Sequence, residues 1–192
     1  MRTTLRMLTV CLLVLTSSAL AQEKPAAPAQ APANPLSIWT KIAYSRVKDI
    51  LLRSAEKMPE ENYSFKPVDT VRSYGQIVGH VADAQYLFCS VALGEQNPSP
   101  KVEQTKTTKA DLIAALNTAF AYCDKAYDSM TDAKAVEMIK LFGNDAPRLS
   151  PLTVNNMHNL EHYGNMVTYM RIKGIVPPSS EQPPQAQQPP KK

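Results

Sequence analysis

Apolar residues recur along most of this chain every three to four positions, which is the spacing of one face of an α-helix. The spacing defines four segments, at residues 36–58, 73–94, 108–127 and 150–173. Proline and glycine residues separate these segments, and none of them shows the strict alternation of a half-buried strand. We therefore expect an all-α protein, built as a four-helix bundle with one longer crossover connection.

Local signals indicate where the helices begin and end. Ser73 with Gln76 three residues later is the pattern of a capping box at a helix N-terminus. Ser150 followed by Pro151 predicts another N-terminus, with the serine as the N-cap. Gly174 follows the last periodic residue, as is usual just beyond a helix C-terminus.

The stretches between the segments are predicted to be connections. Residues 60–72 contain Pro67 and no sustained periodicity, so we expect a connector that lies over the bundle. A short helix is predicted over residues 133–141. The sequence Gly-Asn-Asp at residues 143–145 predicts a turn after it.

Residues 1–21 have the features of a secretory signal peptide. Arg2 and Arg6 precede an apolar stretch at residues 8–15, and small residues precede Gln22, where we expect cleavage. The apolar stretch is shorter than the roughly 20 residues that are needed to span a bilayer. We therefore expect an exported protein, periplasmic or secreted, with no stable membrane insertion after cleavage.

Proline-rich stretches flank the predicted domain on both sides. Residues 22–35 are rich in Ala and Pro, residues 177–192 are rich in Pro and Gln, and neither stretch can build a core. We expect a linker and a disordered tail, which leaves residues 36–176 as the helical bundle. The formal net charge of +4 comes largely from the chain ends. The nearly neutral domain argues against nucleic-acid binding, which needs a basic face.

The chain has 3 histidines, and all of them lie at positions that can face one another. His158 and His162 are four residues apart in the last segment, so both imidazoles project from one helix face. His80 lies beside the apolar stripe of the second segment and is expected to point inward. Three neutral imidazoles with an open position are typical of a catalytic zinc site, and nickel or iron also suits them. A single inward histidine is more often a core residue than a metal ligand, but the joint placement of all three favours a metal site.

Two acids near the histidines are candidate catalytic residues. Asp83 lies three residues after His80, and Glu161 directly precedes His162. Together with Asn165, they are candidates to orient an imidazole or a bound water, because a metal-bound histidine usually donates its other N–H to an acceptor. Both acids are equally well explained as part of a solvated helix face.

Cys89 and Cys123 are the cysteines that remain once the predicted signal peptide, with Cys11, is removed. An even number of cysteines in an oxidising compartment is compatible with one disulfide bond. Two separate buried thiols explain these residues as well. The sequence leaves both alternatives open.

Two histidine-bearing stretches resemble the DinB-like proteins. Residues 72–88, RSYGQIVGHVADAQYLF, look like the second helix of that family. Residues 158–178, HNLEHYGNMVTYMRIKGIVPP, look like its last helix. The resemblance implies a four-helix bundle with a metal site of three histidines, whose ligands would be His80, His158 and His162.

The last helix departs at two positions from the HxxxHRGQ motif of that family. Tyr163 and Asn165 replace the Arg and the Gln, whereas Gly164 is kept. The ligand set is intact, but roles carried by the family's Arg and Gln do not transfer directly. The family includes thiol-dependent transferases, thiol-related hydrolases and isomerases. The resemblance therefore implies a small-molecule or thiol partner without fixing one reaction.

The same stretch also matches HxxEH, the signature of inverted zinc peptidases, in which Glu161 would be the general base. That site needs a further acidic ligand from a downstream helix. Glu181, in the predicted tail, is the sole acid after His162. The sequence therefore argues against a peptidase.

Two functions are consistent with these features. The first is an exported metal-dependent enzyme, a transferase or a hydrolase, in which the ion activates a water or a thiol. The second is a non-catalytic bundle that binds a metal or a small ligand, with the ion as an internal staple. A homodimer is compatible with either function.

Overall fold

The computed structural model describes residues 33–181, which form six helices and one β-hairpin. The helices are α1 (Pro35–Lys57), α2 (Tyr74–Leu93), α3 (Val102–Thr105), α4 (Lys109–Ser129), α5 (Asp132–Ala135) and α6 (Ser150–Ile172). The hairpin strands are β1 (Met138–Leu141) and β2 (Asn144–Pro147), and short 3₁₀ turns cover Glu60–Asn62 and Pro178–Ser180. The four long helices α1, α2, α4 and α6 pack into a bundle, which confirms the predicted all-α architecture.

The core lies around α2, which packs against α4, α6 and α3. Next to it, the rings of Tyr44 in α1 and Tyr127 in α4 are stacked, with their centroids 3.8 Å apart. The Tyr44 hydroxyl donates a hydrogen bond to the Phe120 carbonyl at 3.1 Å, so this buried polar group is paired. The packed core fixes α2 relative to α6, and these two helices carry the three histidines.

The ends of the helices largely follow the sequence signals. The Ser73 hydroxyl accepts a hydrogen bond from the Gln76 backbone N–H at 3.2 Å, and the Gln76 side chain accepts one from the Ser73 N–H at 2.8 Å. The predicted capping box is therefore confirmed. Gly174 has a φ of 73° just beyond α6, as predicted. Ser150 is the first residue of α6, so its prediction as the N-cap is wrong by one position.

The region before α6 differs from its prediction. The helix predicted over 133–141 ends at Ala135, and the residues from Met138 onward form the hairpin instead. Phe142 and Gly143 have φ values of 50° and 84° and make the two-residue turn between the strands. Strands this short do not show a clear alternation of apolar and polar residues, so the sequence pattern does not distinguish them from a short helix.

Cys89 in α2 and Cys123 in α4 form a disulfide bond, with their Cα atoms 5.2 Å apart. Both residues are fully buried. Of the two alternatives that the sequence left open, the structure therefore has the disulfide. The bond joins the central helix α2 to α4.

The chain stays packed beyond Val176. Residues 177–178 are buried, and the Ser179 N–H donates a hydrogen bond to the Tyr163 hydroxyl at 2.9 Å. Glu181 forms ion pairs with two basic residues of α1. The packed part of the chain therefore extends past the predicted boundary of the bundle.

The predicted signal peptide at 1–21, the linker up to residue 32 and the tail from residue 182 lie outside the described residues. Within residues 33–181, no helix combines the length and the apolar character that crossing a membrane requires.

Candidate metal centre

The three histidines that were predicted to converge do so, between α2 and α6. His80 lies in the first half of α2, and His158 and His162 lie one turn apart on α6. Nε2 of His158 is 3.1 Å from Nε2 of His80 and 3.1 Å from Nε2 of His162. The three ligand atoms all lie within 4.8 Å of one another. The four-residue spacing on α6 and the packing of α6 against α2 produce this arrangement.

The spacing of the three Nε2 atoms fits a single metal ion. Zinc binds histidine nitrogen at about 2.0–2.1 Å in tetrahedral geometry, which places two ligand nitrogens roughly 3.3 Å apart. The two distances of 3.1 Å are close to that value. The triad of His80, His158 and His162 could therefore hold a divalent ion, and a four-coordinate ion would keep one position for a non-protein ligand.

Glu103 holds the imidazole of His80 in its orientation. Oε2 of Glu103 lies 3.1 Å from Nδ1 of His80, and Oε1 accepts a hydrogen bond from Nε of Arg72 at 2.8 Å. A carboxylate at Nδ1 favours the tautomer with its proton there, which leaves the Nε2 lone pair free for a metal. The sequence carries no sign of Glu103 as a site residue, because the single turn of α3 has no periodicity that relates it to His80.

Two residues of α2 explain why Glu103 reaches His80. The carboxylate of Asp83 accepts hydrogen bonds from the backbone N–H groups of Val102 at 2.8 Å and Glu103 at 3.0 Å. Gly79 allows the two backbones to approach, because a Cβ atom there would lie 2.7 Å from Cα of Glu103. Asp83, a candidate catalytic residue, therefore has both carboxylate oxygens engaged in holding α3. A catalytic role for it stays a prediction.

The two histidines of α6 have different surroundings. The side-chain amide of Asn165 lies 3.4 Å from Nδ1 of His162, in keeping with the predicted orienting role. Nδ1 of His158 is buried and has no hydrogen-bond partner among the described residues. The ring of Phe88 packs against His158, with centroids 5.5 Å apart. An apolar neighbour thus fixes His158, whereas polar neighbours fix His80 and His162.

The electrostatics of the site favour neutral imidazoles. Burial is the main cause that lowers the pKa of His158 to about 3, and the neighbouring His162, His80 and Arg72 contribute to the same shift. Burial also lowers the pKa of His162, and the nearby His80 adds to the effect. Because a histidine must be neutral to bind a metal, these shifts keep His158 and His162 ready for one near neutral pH.

Two clefts reach the triad. The larger has a volume of about 680 Å³, includes His162 and lies beside the connector between α1 and α2; we name it the connector cleft. The smaller has a volume of about 300 Å³, includes His80 and His158 and lies beside the loop between α2 and α3; we name it the loop cleft. The connector cleft is lined further by Lys66, Arg72, Gln76, Glu161, Asn165 and Tyr169. The loop cleft is lined further by Ala84, Leu87, Phe88, Asn97, Ser99 and Lys101.

Glu161, the second candidate catalytic acid, is exposed and lines the connector cleft. It does not belong to the group of metal-binding atoms. Its negative charge raises the pKa of His162, against the stronger effect of burial. The structure therefore places Glu161 beside the triad on the solvent side, and a catalytic role for it stays a prediction.

Several proteins and structures are similar to this chain. The uncharacterised protein YjoA of Bacillus subtilis is 27% identical over 123 residues, which cover 62% of this chain and 79% of YjoA. The crystal structure of YjoA has a TM-score of 0.59 at 22% identity and covers 72% of this chain and 93% of its own. A DinB-like protein of Bacillus cereus has a TM-score of 0.65 at 16% identity, with the same coverages of 72% and 93%.

A mycothiol-dependent maleylpyruvate isomerase has a TM-score of 0.55 at 11% identity, with 70% of this chain and 65% of the isomerase covered. This likeness shows a shared fold. The sequence model of the DinB superfamily matches residues 43–166, a stretch that contains all three histidines. The chain therefore belongs to the DinB superfamily.

Proposed function

We propose that this protein is an exported metal-dependent enzyme that transfers a thiol to a small substrate or hydrolyses such a substrate. The observation that carries the proposal is the convergence of the Nε2 atoms of His80, His158 and His162 within 4.8 Å, in the walls of two clefts. Metal sites built for catalysis combine three protein ligands with access for a further ligand. The triad and its clefts have both properties.

Zinc or nickel is the proposed ion, and iron is also compatible with the donor set. Three imidazole nitrogens without thiolate or carboxylate suit these metals. When bound, a divalent ion lowers the pKa of a water or thiol ligand and stabilises developing negative charge. Glu103 and Asn165 then keep their respective imidazoles in place, since both touch Nδ1 atoms.

A thiol is the proposed co-substrate. The support for it is the similarity in fold to a mycothiol-dependent isomerase. The connector cleft, at about 680 Å³, has room for a thiol of moderate size beside His162. A small-molecule partner follows from this proposal, and nucleic acid is not among the proposed partners.

One observation favours the non-catalytic alternative. Asp83, the one acid of α2, has both carboxylate oxygens bonded to backbone N–H groups, an arrangement that suits a structural role. In that case the ion would serve as a staple between α2 and α6. Chelation would then lower the melting temperature strongly, whereas an ion used for catalysis is expected to be removable at little cost in stability.

The test compares the wild type with His158→Ala and with Met157→Ala, which changes an exposed neighbour on the same helix. We expect the wild type and Met157→Ala to hold one metal equivalent and to consume a thiol in the presence of electrophilic small molecules. His158→Ala should lose both properties. Full turnover in metal-free His158→Ala would contradict the proposal.

Export is tested separately, by expressing the full chain in a bacterial host and sequencing the N-terminus of the product. We expect the mature protein to begin at Gln22 and to be released with the periplasmic contents. An intact Met1 in the cytoplasmic fraction would contradict export and would leave the metal proposal unaffected.

A further inference from the structure

The loop cleft has one apolar wall and one polar wall. Ala84, Leu87 and Phe88 of α2 form the apolar wall. Asn97, Ser99 and Lys101 come from the loop between α2 and α3 and form the polar wall. His80 and His158 also line this cleft, so anything bound in it lies next to the triad. The cleft therefore fits a ligand with an apolar body and a polar end.

The loop that supplies the polar wall has an uncommon backbone. Ser99 and Lys101 are not glycines, yet their φ values are 44° and 55°. Such values are rare for residues with a side chain and often occur at functional sites. Pro98 and Pro100 restrict the backbone around them, and the Asn97 side chain accepts a hydrogen bond from the Ser99 N–H at 2.9 Å. These restraints keep Asn97, Ser99 and Lys101 in the wall of the loop cleft.

The charges of the two clefts differ in a way that points to the ligand. In the connector cleft, Lys66 lies 3.2 Å from Asp69 and Arg72 lies 2.8 Å from Glu103, so both cations have a carboxylate partner. Over residues 33–181, the ammonium group of Lys101 forms no ion pair. The one acid of the loop cleft, Asp83, is engaged with backbone N–H groups. Lys101 is therefore the group best placed to bind an anion.

We infer that the loop cleft binds a small organic carboxylate, with its apolar body against Leu87 and Phe88 and its carboxylate at Lys101. A volume of about 300 Å³ equals that of roughly ten water molecules at about 30 Å³ each, which is room for a small organic acid. The inference rests on the proposed function, because this carboxylate would be the substrate that meets the thiol at the triad. The larger connector cleft then remains for the thiol.

The test uses the full chain loaded with zinc and two probes of matched size, phenylacetate and the neutral phenylacetamide. Binding is measured by titration calorimetry near neutral pH, and the zinc content of every sample is measured in parallel. The variant is Lys101→Met, which removes the charge but keeps an unbranched side chain. The control is Lys66→Met, which removes a lysine from the connector cleft.

We expect the wild type to bind phenylacetate about tenfold or more tightly than phenylacetamide, because a charge-assisted hydrogen bond contributes that much. Lys101→Met should remove this preference, and Lys66→Met should keep it. No binding of phenylacetate, equal binding of both probes, or an unchanged preference in Lys101→Met would each overturn the inference. Absence of zinc from the loaded wild type would instead overturn the proposed function, so the two failures are distinguishable.

Discussion

Two polar clusters lie between α2 and α6. One is held by hydrogen bonds between amides, and the other, the histidine triad, brings three imidazole nitrogens together. The first, the amide cluster, consists of Gln85, Asn155 and Asn159, all fully buried. Gln85 donates to Asn159 at 2.7 Å and accepts from Asn155 at 3.0 Å, so both ends of the Gln85 amide are paired. Among the described residues, Oδ1 of Asn155 and Nδ2 of Asn159 have no hydrogen-bond partner. The same two helices carry both clusters within a few residues.

The triad lacks this complementarity. Its three Nε2 atoms face one another at 3.1 Å between neighbours, and Glu103 favours the proton of His80 on the opposite nitrogen. The three Nε2 atoms of the triad can serve together as metal ligands, whereas the Gln85 amide is engaged by its bonds to the two asparagines. We propose that the amide cluster serves the stability of the bundle and that the triad serves a ligand. The two clusters should then differ in their effects on metal affinity, on stability and on its pH dependence.

The largest effect is expected on metal affinity. His162→Ala removes one of three ligands, so zinc affinity should fall more than about a hundredfold, beyond the loss usual for a residue that only supports a ligand. Competition with a chelator of known affinity measures it. Gln85→Met is the comparison, and its affinity should stay within about twofold of the wild type. Equal losses in both variants would mean that the clusters are not separate.

The next effect is on stability, where Gln85→Met should cost more than His162→Ala. Gln85→Met keeps the size of the side chain but removes the bonds to Asn155 and Asn159. Oδ1 of Asn159 would be left buried and unpaired, whereas the Asn155 amide keeps its bond to the Tyr127 hydroxyl. We expect the free energy of unfolding of the metal-free protein to fall by about 2 kcal/mol, because an unpaired buried group costs about 1–3 kcal/mol. Urea unfolding measures this. Metal-free His162→Ala should lose clearly less, and the opposite order would contradict the comparison.

A smaller loss of metal affinity is expected for Glu103→Gln, which removes the charge behind His80. The fall should be about tenfold, the lower end for a residue that supports a metal ligand. Glu161→Gln removes an exposed acid in the connector cleft and serves as the control. Its affinity should change by less than about twofold. A larger loss in the control than in Glu103→Gln would show that the orientation of His80 is unimportant.

The smallest effect is expected in the pH dependence of the metal-free protein. The pKa values of His158 and His162 are lowered in the folded state, that of His158 to about 3. The unfolded chain, with histidine pKa values near 6.5, therefore binds more protons as the pH falls below that value. The stability contributed by the neutral imidazoles should be complete above about pH 6.5 and decline toward pH 5.

Urea unfolding across that pH range measures the decline. The control is the double variant His158→Gln and His162→Gln, in which the decline should be much weaker. The amide cluster does not titrate and should contribute nothing to it. An identical pH profile in the wild type and the double variant would contradict neutral imidazoles in the folded state.

The two clusters also show what the sequence can and cannot predict. The four long helices follow from apolar periodicity, and the convergence of the triad follows from the spacing of His158 and His162 together with an inward His80. Such features depend on residues within one helix or on one packing contact.

Glu103 could not be predicted in this way. Its place beside His80 depends on Asp83, which binds the backbone of α3, and on Gly79, which lets α3 approach α2. The hairpin at Met138–Pro147 could not be predicted for a related reason. Its four-residue strands are too short to show the alternation of apolar and polar residues that identifies a strand. Contacts between a short element and a long helix are set by the tertiary structure, so the local sequence shows no recognisable pattern for them.

The most direct test of the metal centre is elemental analysis of the purified wild type and of His80→Ala, after both are offered zinc, nickel and iron. Melting curves of both samples show that each is folded. We predict one equivalent of a divalent ion per chain in the wild type and no stoichiometric metal in His80→Ala. A wild type without stoichiometric metal, or a His80→Ala variant that holds as much as the wild type, would contradict a metal site at His80, His158 and His162.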